Sequence, residues 1–202
     1  MPKSLFIAEK PSVAQEFAKA LKVSGSRFDG YIESSDTIVT WCVGHLVTMS
    51  YPEEYDPKMK KWSLETLPFL PKEYKYQVID GVKKQFQIVS GLLNRKDVDT
   101  IYVCTDSGRE GEYIYRLVEQ MAGVKGKIRK RVWIDSQTEE EILKGIKNAK
   151  DLSSYDNLAA AAYLRAKEDY LMGINFSRVL TLRYGPLVSH YLNTKWTVLS
   201  VG

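Results

Sequence analysis

Thiol chemistry has little to work with in this chain. There are two cysteines in 202 residues, and Cys42 and Cys104 both fall inside apolar, strand-like runs, TIVTWCVG and TIYVCTD. That placement predicts reduced core thiols rather than a disulfide, as suits a cytoplasmic protein. No CxxC or HxxxH spacing occurs, so a structural zinc site is not expected. No apolar run approaches the roughly 18 residues that a membrane-spanning helix requires. The N-terminus lacks the apolar core of a signal peptide, because Glu9 and Lys10 interrupt its apolar run. Internal repeats and low-complexity tracts are missing too, which sets aside repeat architectures.

What is present is an ordinary folded composition, 44% hydrophobic and 27% charged, with length for one α/β domain and an appendage. The formal charge is +4, concentrated in KGKIRKR (125–131) and in KMKKW (58–62), which carries an aromatic. Each patch suits nucleic acid, and each equally suits a solvated surface.

Along the chain, 3–9 reads as a buried strand and 11–21 as an amphipathic helix. Pro11 suits its first turn, and Val13, Phe17, Ala20 and Leu21 share one face. A strand is expected over 37–46, then a proline-punctuated stretch over 50–80. A helix follows over 83–94, a strand over 100–104, a helix over 110–122 and a strand over 131–135. SQTEEEILKGIKNAK (136–150) opens with a capping pattern, Ser136 with Glu139 or Thr138 with Glu141. The alternation predicts an α/β fold with a mostly parallel sheet covered on both faces. After about residue 150 the chain turns helical and Ala-rich. It then stops at WTVLSVG, apolar and strand-like, which reads as a truncation.

The chemistry gathers at strand ends. The run Ile101–Val103 leads into Asp106, Ser107, Gly108 and a helix opening with Glu110 and Glu112. Leu5–Ala8 leads into Glu9, Lys10 and the Pro11 helix. Ligands of α/β proteins bind at the carboxyl ends of strands. Two such ends tipped with acid suit one Mg²⁺ ion.

Four segments occur in order: AEKPSVA, VGHLVT, TDSGREGE and RAKEDYLMGINFSR. Together they resemble the N-terminal part of the bacterial type IA DNA topoisomerases, topoisomerase III above all. The resemblance implies a Toprim metal-binding domain over 1–150 and, over 151–202, the truncated start of the helical DNA-binding domain. It implies an ATP-independent, Mg²⁺-dependent enzyme that cleaves a single strand through a Tyr, passes another strand and reseals. It further implies single-stranded or underwound DNA as substrate, a helicase or single-strand-binding protein as candidate partner, no membrane, and a bacterial cytoplasmic, nucleoid-associated location.

Residue by residue, the resemblance makes Glu9, Asp106 and Glu110 the metal set. Glu9, Lys10 and Glu110 become the catalytic set, with Glu9 binding metal or protonating the leaving oxygen and Lys10 beside the scissile phosphate. Arg109 and Glu112 hold the acids in place. Gly108 departs from the family, many members of which carry a second Asp there, and this puts a second metal ion in doubt. His45 is read as a hydrogen-bonded structural residue. Trp62, Arg165, Asp169, Tyr170 and Arg178 are the DNA-contact candidates: Trp62 and Tyr170 to stack on bases, Arg165 held by Asp169 to grip phosphate, and Arg178 at another contact position. None of the 13 tyrosines has the family's nucleophile context, so this polypeptide alone is expected to be inactive. Two other readings carry the same acids: a stand-alone Toprim nuclease using metal and water, and a non-catalytic DNA-binding module.

Overall fold

The structure, a computed structural model, describes residues 2–201. Nine strands and five α-helices follow in the order β1 (Lys3–Ala8), α1 (Pro11–Ala20), β2 (Ser26–Phe28), β3 (Tyr31–Glu33), β4 (Thr37–Trp41), β5 (Val47–Met49), β6 (Tyr76–Val78), α2 (Lys83–Leu93), β7 (Val98–Cys104), α3 (Arg109–Ala122), β8 (Ile128–Arg131), α4 (Glu139–Lys147), β9 (Lys150–Asp151) and α5 (Asp156–Tyr191). Seven strands form one sheet in the order β2-β3-β4-β1-β7-β8-β9, and β5 with β6 forms a separate pair. The four middle strands β4, β1, β7 and β8 are parallel, whereas β2, β3 and β9 join antiparallel at the edges. This is the expected α/β fold with a mostly parallel sheet.

The apolar pattern explains the layering. On β1, Phe6 and Ala8 face one side, where they pack with Val13, Ala14 and Phe17 of α1, Val39 of β4 and Ile142 of α4. Leu5 and Ile7, also fully buried, point to the opposite side by strand alternation. A central strand buried on both faces reads as an unbroken apolar run. Phe6 sits opposite Tyr102 in the register, and their rings stack at 4.5 Å. Helix α1 starts on Pro11 and α3 ends on Gly123 in the left-handed conformation (φ 63°), a helix stop that glycine adopts without strain. Thr138 caps α4, accepting from the Glu141 N–H, the second of the two expected capping pairs.

Connectivity fixes where a site can form. From β1 the chain passes through α1 toward β4 on one side, and from neighbouring β7 through α3 to β8 on the other. A crevice opens at such a switch point, beyond the carboxyl ends of β1 and β7.

The chain divides into two compact units, 1–48 with 77–162 and 49–76 with 163–202. Residues 49–76 thus group with the later part of α5 and the segment after it. In the second unit three short 3-10 turns, Pro52–Glu54, Pro57–Lys60 and Leu64–Thr66, fold the proline-rich stretch. The Asn175 side chain of α5 anchors that stretch, accepting from the Phe69 N–H at 2.6 Å and donating to the Phe69 carbonyl at 2.9 Å. The expected strand over 131–135 lies instead over 128–131. Of the strand-like WTVLSVG, the described residues 196–201 form no strand. Its backbone bonds to hydroxyls of α5 instead of to a sheet, Leu199 to Thr181 and Val201 to Ser177. No helix among the described residues is long and apolar enough to cross a membrane.

Candidate functional site

Glu9 follows directly on β1 and Asp106 lies two residues beyond β7. Parallel pairing holds Ala8 opposite Cys104, so the two acids share the switch-point crevice. Glu9 is only 6% exposed, and the Asp106 N–H donates to its Oε2 at 3.2 Å. Burial first and the Asp106 carboxylate second push the Glu9 carboxyl above its ordinary range, with Glu110 adding to the effect. Lys10 is exposed beside it. The backbone beyond β4 closes in, with the Cys42 and Gly44 N–H groups donating to the Ala8 and Glu9 carbonyls.

Glu110 opens α3 and is exposed. Its Oε1 lies 2.6 Å from Nε2 of His45, whose ring meets Tyr113 edge-on. The structure thus gives His45 the hydrogen bond expected of it, and the partner is one of the candidate ligands. Among the described residues no three His, Cys, Asp or Glu side chains stand as a ready-made metal cage. The donor set is nevertheless all oxygen, with the buried Glu9 carboxyl close to a second acid, Asp106. Oxygen donors of this kind could hold a hard divalent cation through one or two carboxylates and water.

The loop carrying Asp106 is braced from beneath. Arg131 is wholly buried, not part of a surface patch as KGKIRKR suggests. Its Nε donates to Glu112 Oε2 at 2.9 Å, its Nη1 to the Val103, Thr105 and Val132 carbonyls, and its Nη2 to the Asp106 carbonyl at 2.7 Å. Glu112, also wholly buried, takes a second ion pair from Arg116 at 2.8 Å. Glu112 is thus linked to the Asp106 backbone through Arg131, which the sequence placed in a basic patch. Ser107 ties the same loop to Ile134, donating to its carbonyl and accepting from its N–H. A cleft of about 470 Å³ beside it is lined by Asp106, Ser107, Asp135 and Ser136, among others.

Two glycines shape this loop in different ways. A Cβ on Gly111 would stand 2.1 Å from the Asp106 carbonyl oxygen, so no side chain fits. A Cβ on Gly108 meets nothing within 4 Å, and its backbone is extended (φ 172°). The missing second aspartate is thus not excluded by space. The two cysteines are unpaired and buried, and burial pushes the Cys42 thiol up to about 12.

In the second unit the DNA-contact candidates separate. Arg165 and Asp169 are exposed on α5 and paired across one turn at 3.5 Å. Trp62 is half-buried, and Lys60 and Lys61 beside it are exposed. Arg178 is only 6% exposed. Its Nη1 donates to the Met59 carbonyl at 3.0 Å, its guanidinium lies over the Trp62 ring at 5.1 Å, and Glu53 pairs with it more loosely. The Tyr170 hydroxyl donates to the Ser50 carbonyl, and its ring packs edge-on against Phe69 and Tyr74. Arg178 and Tyr170 thus each donate to a backbone carbonyl within this unit.

The Toprim domain family matches residues 4–136. The chain is similar to DNA topoisomerase 3 of Bacillus thuringiensis (strain Al Hakam) and to that of Bacillus anthracis, 48% identical over 184 residues, which is 91% of this chain and 25% of each relative. It is 46% identical over 187 residues to DNA topoisomerase 3 of Staphylococcus epidermidis, 93% of this chain and 26% of that relative. The chain thus spans about a quarter of the length of these curated relatives. Glu9, Asp106 and Glu110 all fall inside the matched segment, the first two just beyond the carboxyl ends of its parallel strands and the third in the first turn of α3, and the chain belongs to the Toprim domain family.

Proposed function

We propose that this chain is the N-terminal, Mg²⁺-binding portion of a type IA DNA topoisomerase of the topoisomerase III kind. The full protein would cleave, pass and reseal single DNA strands without ATP, and the nucleophilic Tyr would come from outside this sequence. One observation carries the reading: the buried Glu9 accepts from the Asp106 N–H across adjacent parallel strands. Toprim domains bind metal ions, and the likeness to topoisomerase 3 proteins supplies the reaction. In this reading the metal-binding part is 1–150, the start of the helical DNA-binding part is 151–202, and the protein works in the bacterial cytoplasm on nucleoid DNA.

The residues divide the work. Glu9 and Asp106, with Glu110, would hold Mg²⁺, whose charge offsets that of the DNA phosphate. In the alternative role, off the metal, Glu9 would hold the proton that the leaving 3′-oxygen needs, as its raised pKa in the buried site favours. Lys10, exposed beside Glu9, would meet the phosphate. His45 would set the orientation of Glu110. Arg165, aligned by Asp169, would grip a backbone phosphate, and Trp62 would stack on a base. Tyr170 and Arg178 would support that surface from below.

The test is plasmid relaxation with Mg²⁺. The 202-residue chain leaves negatively supercoiled DNA unchanged. The natural gene product, captured by an antibody raised against this chain, is several times heavier than 23.1 kDa and relaxes it. Relaxation by the chain alone, or nicks with free ends and no attached protein, would overturn the proposal.

A further inference from the structure

The segment after α5 is strapped to that helix in an alternating way. The Thr197 hydroxyl accepts from Ser189 at 3.0 Å, the Leu199 backbone both donates to and accepts from the Thr181 hydroxyl, and the Val201 N–H donates to Ser177. The segment comes so close that a Cβ on Gly185 would stand 2.9 Å from the Thr197 carbonyl oxygen. Thr197 and Leu199 are half-buried against the helix, whereas Trp196 and Val198 are exposed on the other side of the segment.

That other side is a cleft. Trp196 and Val198 line about 380 Å³ together with Lys60, Lys61 and Trp62. Trp196 is 55% exposed, and its neighbour Thr197 is tied to Ser189 of α5. Trp62 is held by the guanidinium of Arg178 over its ring. Arg178 spends an N–H on the carbonyl of Met59, in the 3-10 turn that ends at Lys60. Two indoles thus border one opening that has two exposed ammonium groups at its edge.

We infer that Trp62 and Trp196 form a nucleobase subsite for single-stranded DNA, with Lys60 and Lys61 on the flanking phosphates and Arg178 as the positioning residue beneath. The inference rests on the DNA reading proposed above and adds Trp196 to it. Indoles offer π-faces to any base, and lysines offer charge without sequence preference. An acidic peptide would satisfy the lysines and leave the indoles idle. The subsite is therefore tolerant of sequence and sensitive to the presence of bases.

The experiment compares binding of a short oligothymidylate and an abasic oligomer of equal length at low salt, read by anisotropy and by tryptophan emission. Wild type binds the oligothymidylate about tenfold more tightly than the abasic strand, the scale of one stacked base, and its emission is quenched. Trp196→Ala abolishes this preference and leaves abasic binding unchanged. Trp196→Phe restores part of it, which separates stacking from folding. Arg165→Ala weakens both probes alike. If Trp196→Ala keeps the preference while Arg165→Ala weakens binding, the subsite is wrong and the DNA reading stands. Equal binding of both probes by wild type reduces the cleft to a cationic patch and overturns the inference. Binding of neither probe overturns the DNA reading together with it.

Discussion

Replacing Arg131 by Met probes the brace beneath Asp106. The two side chains keep similar apolar length, but Met donates nothing. The change strips Glu112 Oε2 of its 2.9 Å partner in a place where both side chains are fully buried. It also removes the donors to the Val103, Thr105, Val132 and Asp106 carbonyls. Arg116 still pairs with the other oxygen of Glu112, so the buried charge is half compensated. Breaking one partner of a buried ion pair costs about 3–5 kcal/mol. For a chain of this size each kcal/mol moves the melting temperature by about 2–4 °C, so Arg131→Met should lower it by about 10 °C. Thermal unfolding followed by circular dichroism gives the number. Arg131→Lys should recover little, because an ammonium lacks the planar fork that reaches Glu112 and four carbonyls together. Adding Glu112→Gln to Arg131→Met should cost less than the two single losses summed, since the stranded charge is gone. An Arg131→Met protein melting within about 2 °C of wild type, a shift worth at most about 1 kcal/mol, would refute the reasoning.

Three further outcomes follow from the same loop. Glu9 has a folded pKa above its ordinary value of 4.5, so its cost to the fold is absent below that value and grows as pH rises through the folded pKa. Glu9→Gln should therefore raise the melting temperature at neutral pH and lose that advantage near pH 4.5; an advantage that persists in acid would contradict this. Gly111→Ala forces a Cβ to within 2.1 Å of the Asp106 carbonyl oxygen and should cost about 1–3 kcal/mol while weakening Mg²⁺ binding, both measurable by melting with and without the ion. Gly108→Asp meets open space and should fold normally and bind Mg²⁺ more tightly by calorimetry, whereas unchanged affinity would mean that the new carboxylate does not reach the ion.

The middle of the fold was legible because its signals are local. Unbroken apolar runs mark β1 and β7, and Pro11 and Gly123 punctuate the helices around them. Sequence spacing alone puts acids at those strand ends. The edges were not legible, since SRF in β2 is exposed throughout and shows no alternation. KGKIRKR reads as a basic patch because burial of Arg131 depends on Glu112 across the sheet, a partner 19 residues away. Arg178 and Tyr170 read as free DNA contacts for a similar reason. Their partners, Met59 and Ser50, lie 119 and 120 residues away. WTVLSVG has the composition of a strand, but its hydrogen-bond partners are hydroxyls on α5. His45 gave the weakest signal, a lone histidine after a strand, and only the fold reveals Glu110 as its partner.

The most direct measurement is calorimetric titration of Mg²⁺ into the wild-type chain and into Asp106→Asn. Asp106 is exposed, and the N–H that it donates to Glu9 survives the substitution, so the variant should fold as wild type. Wild type should bind Mg²⁺, and Asp106→Asn should lose that binding. Equal binding by the two proteins, or no binding by wild type, would contradict the claim that Glu9 and Asp106 frame the metal site.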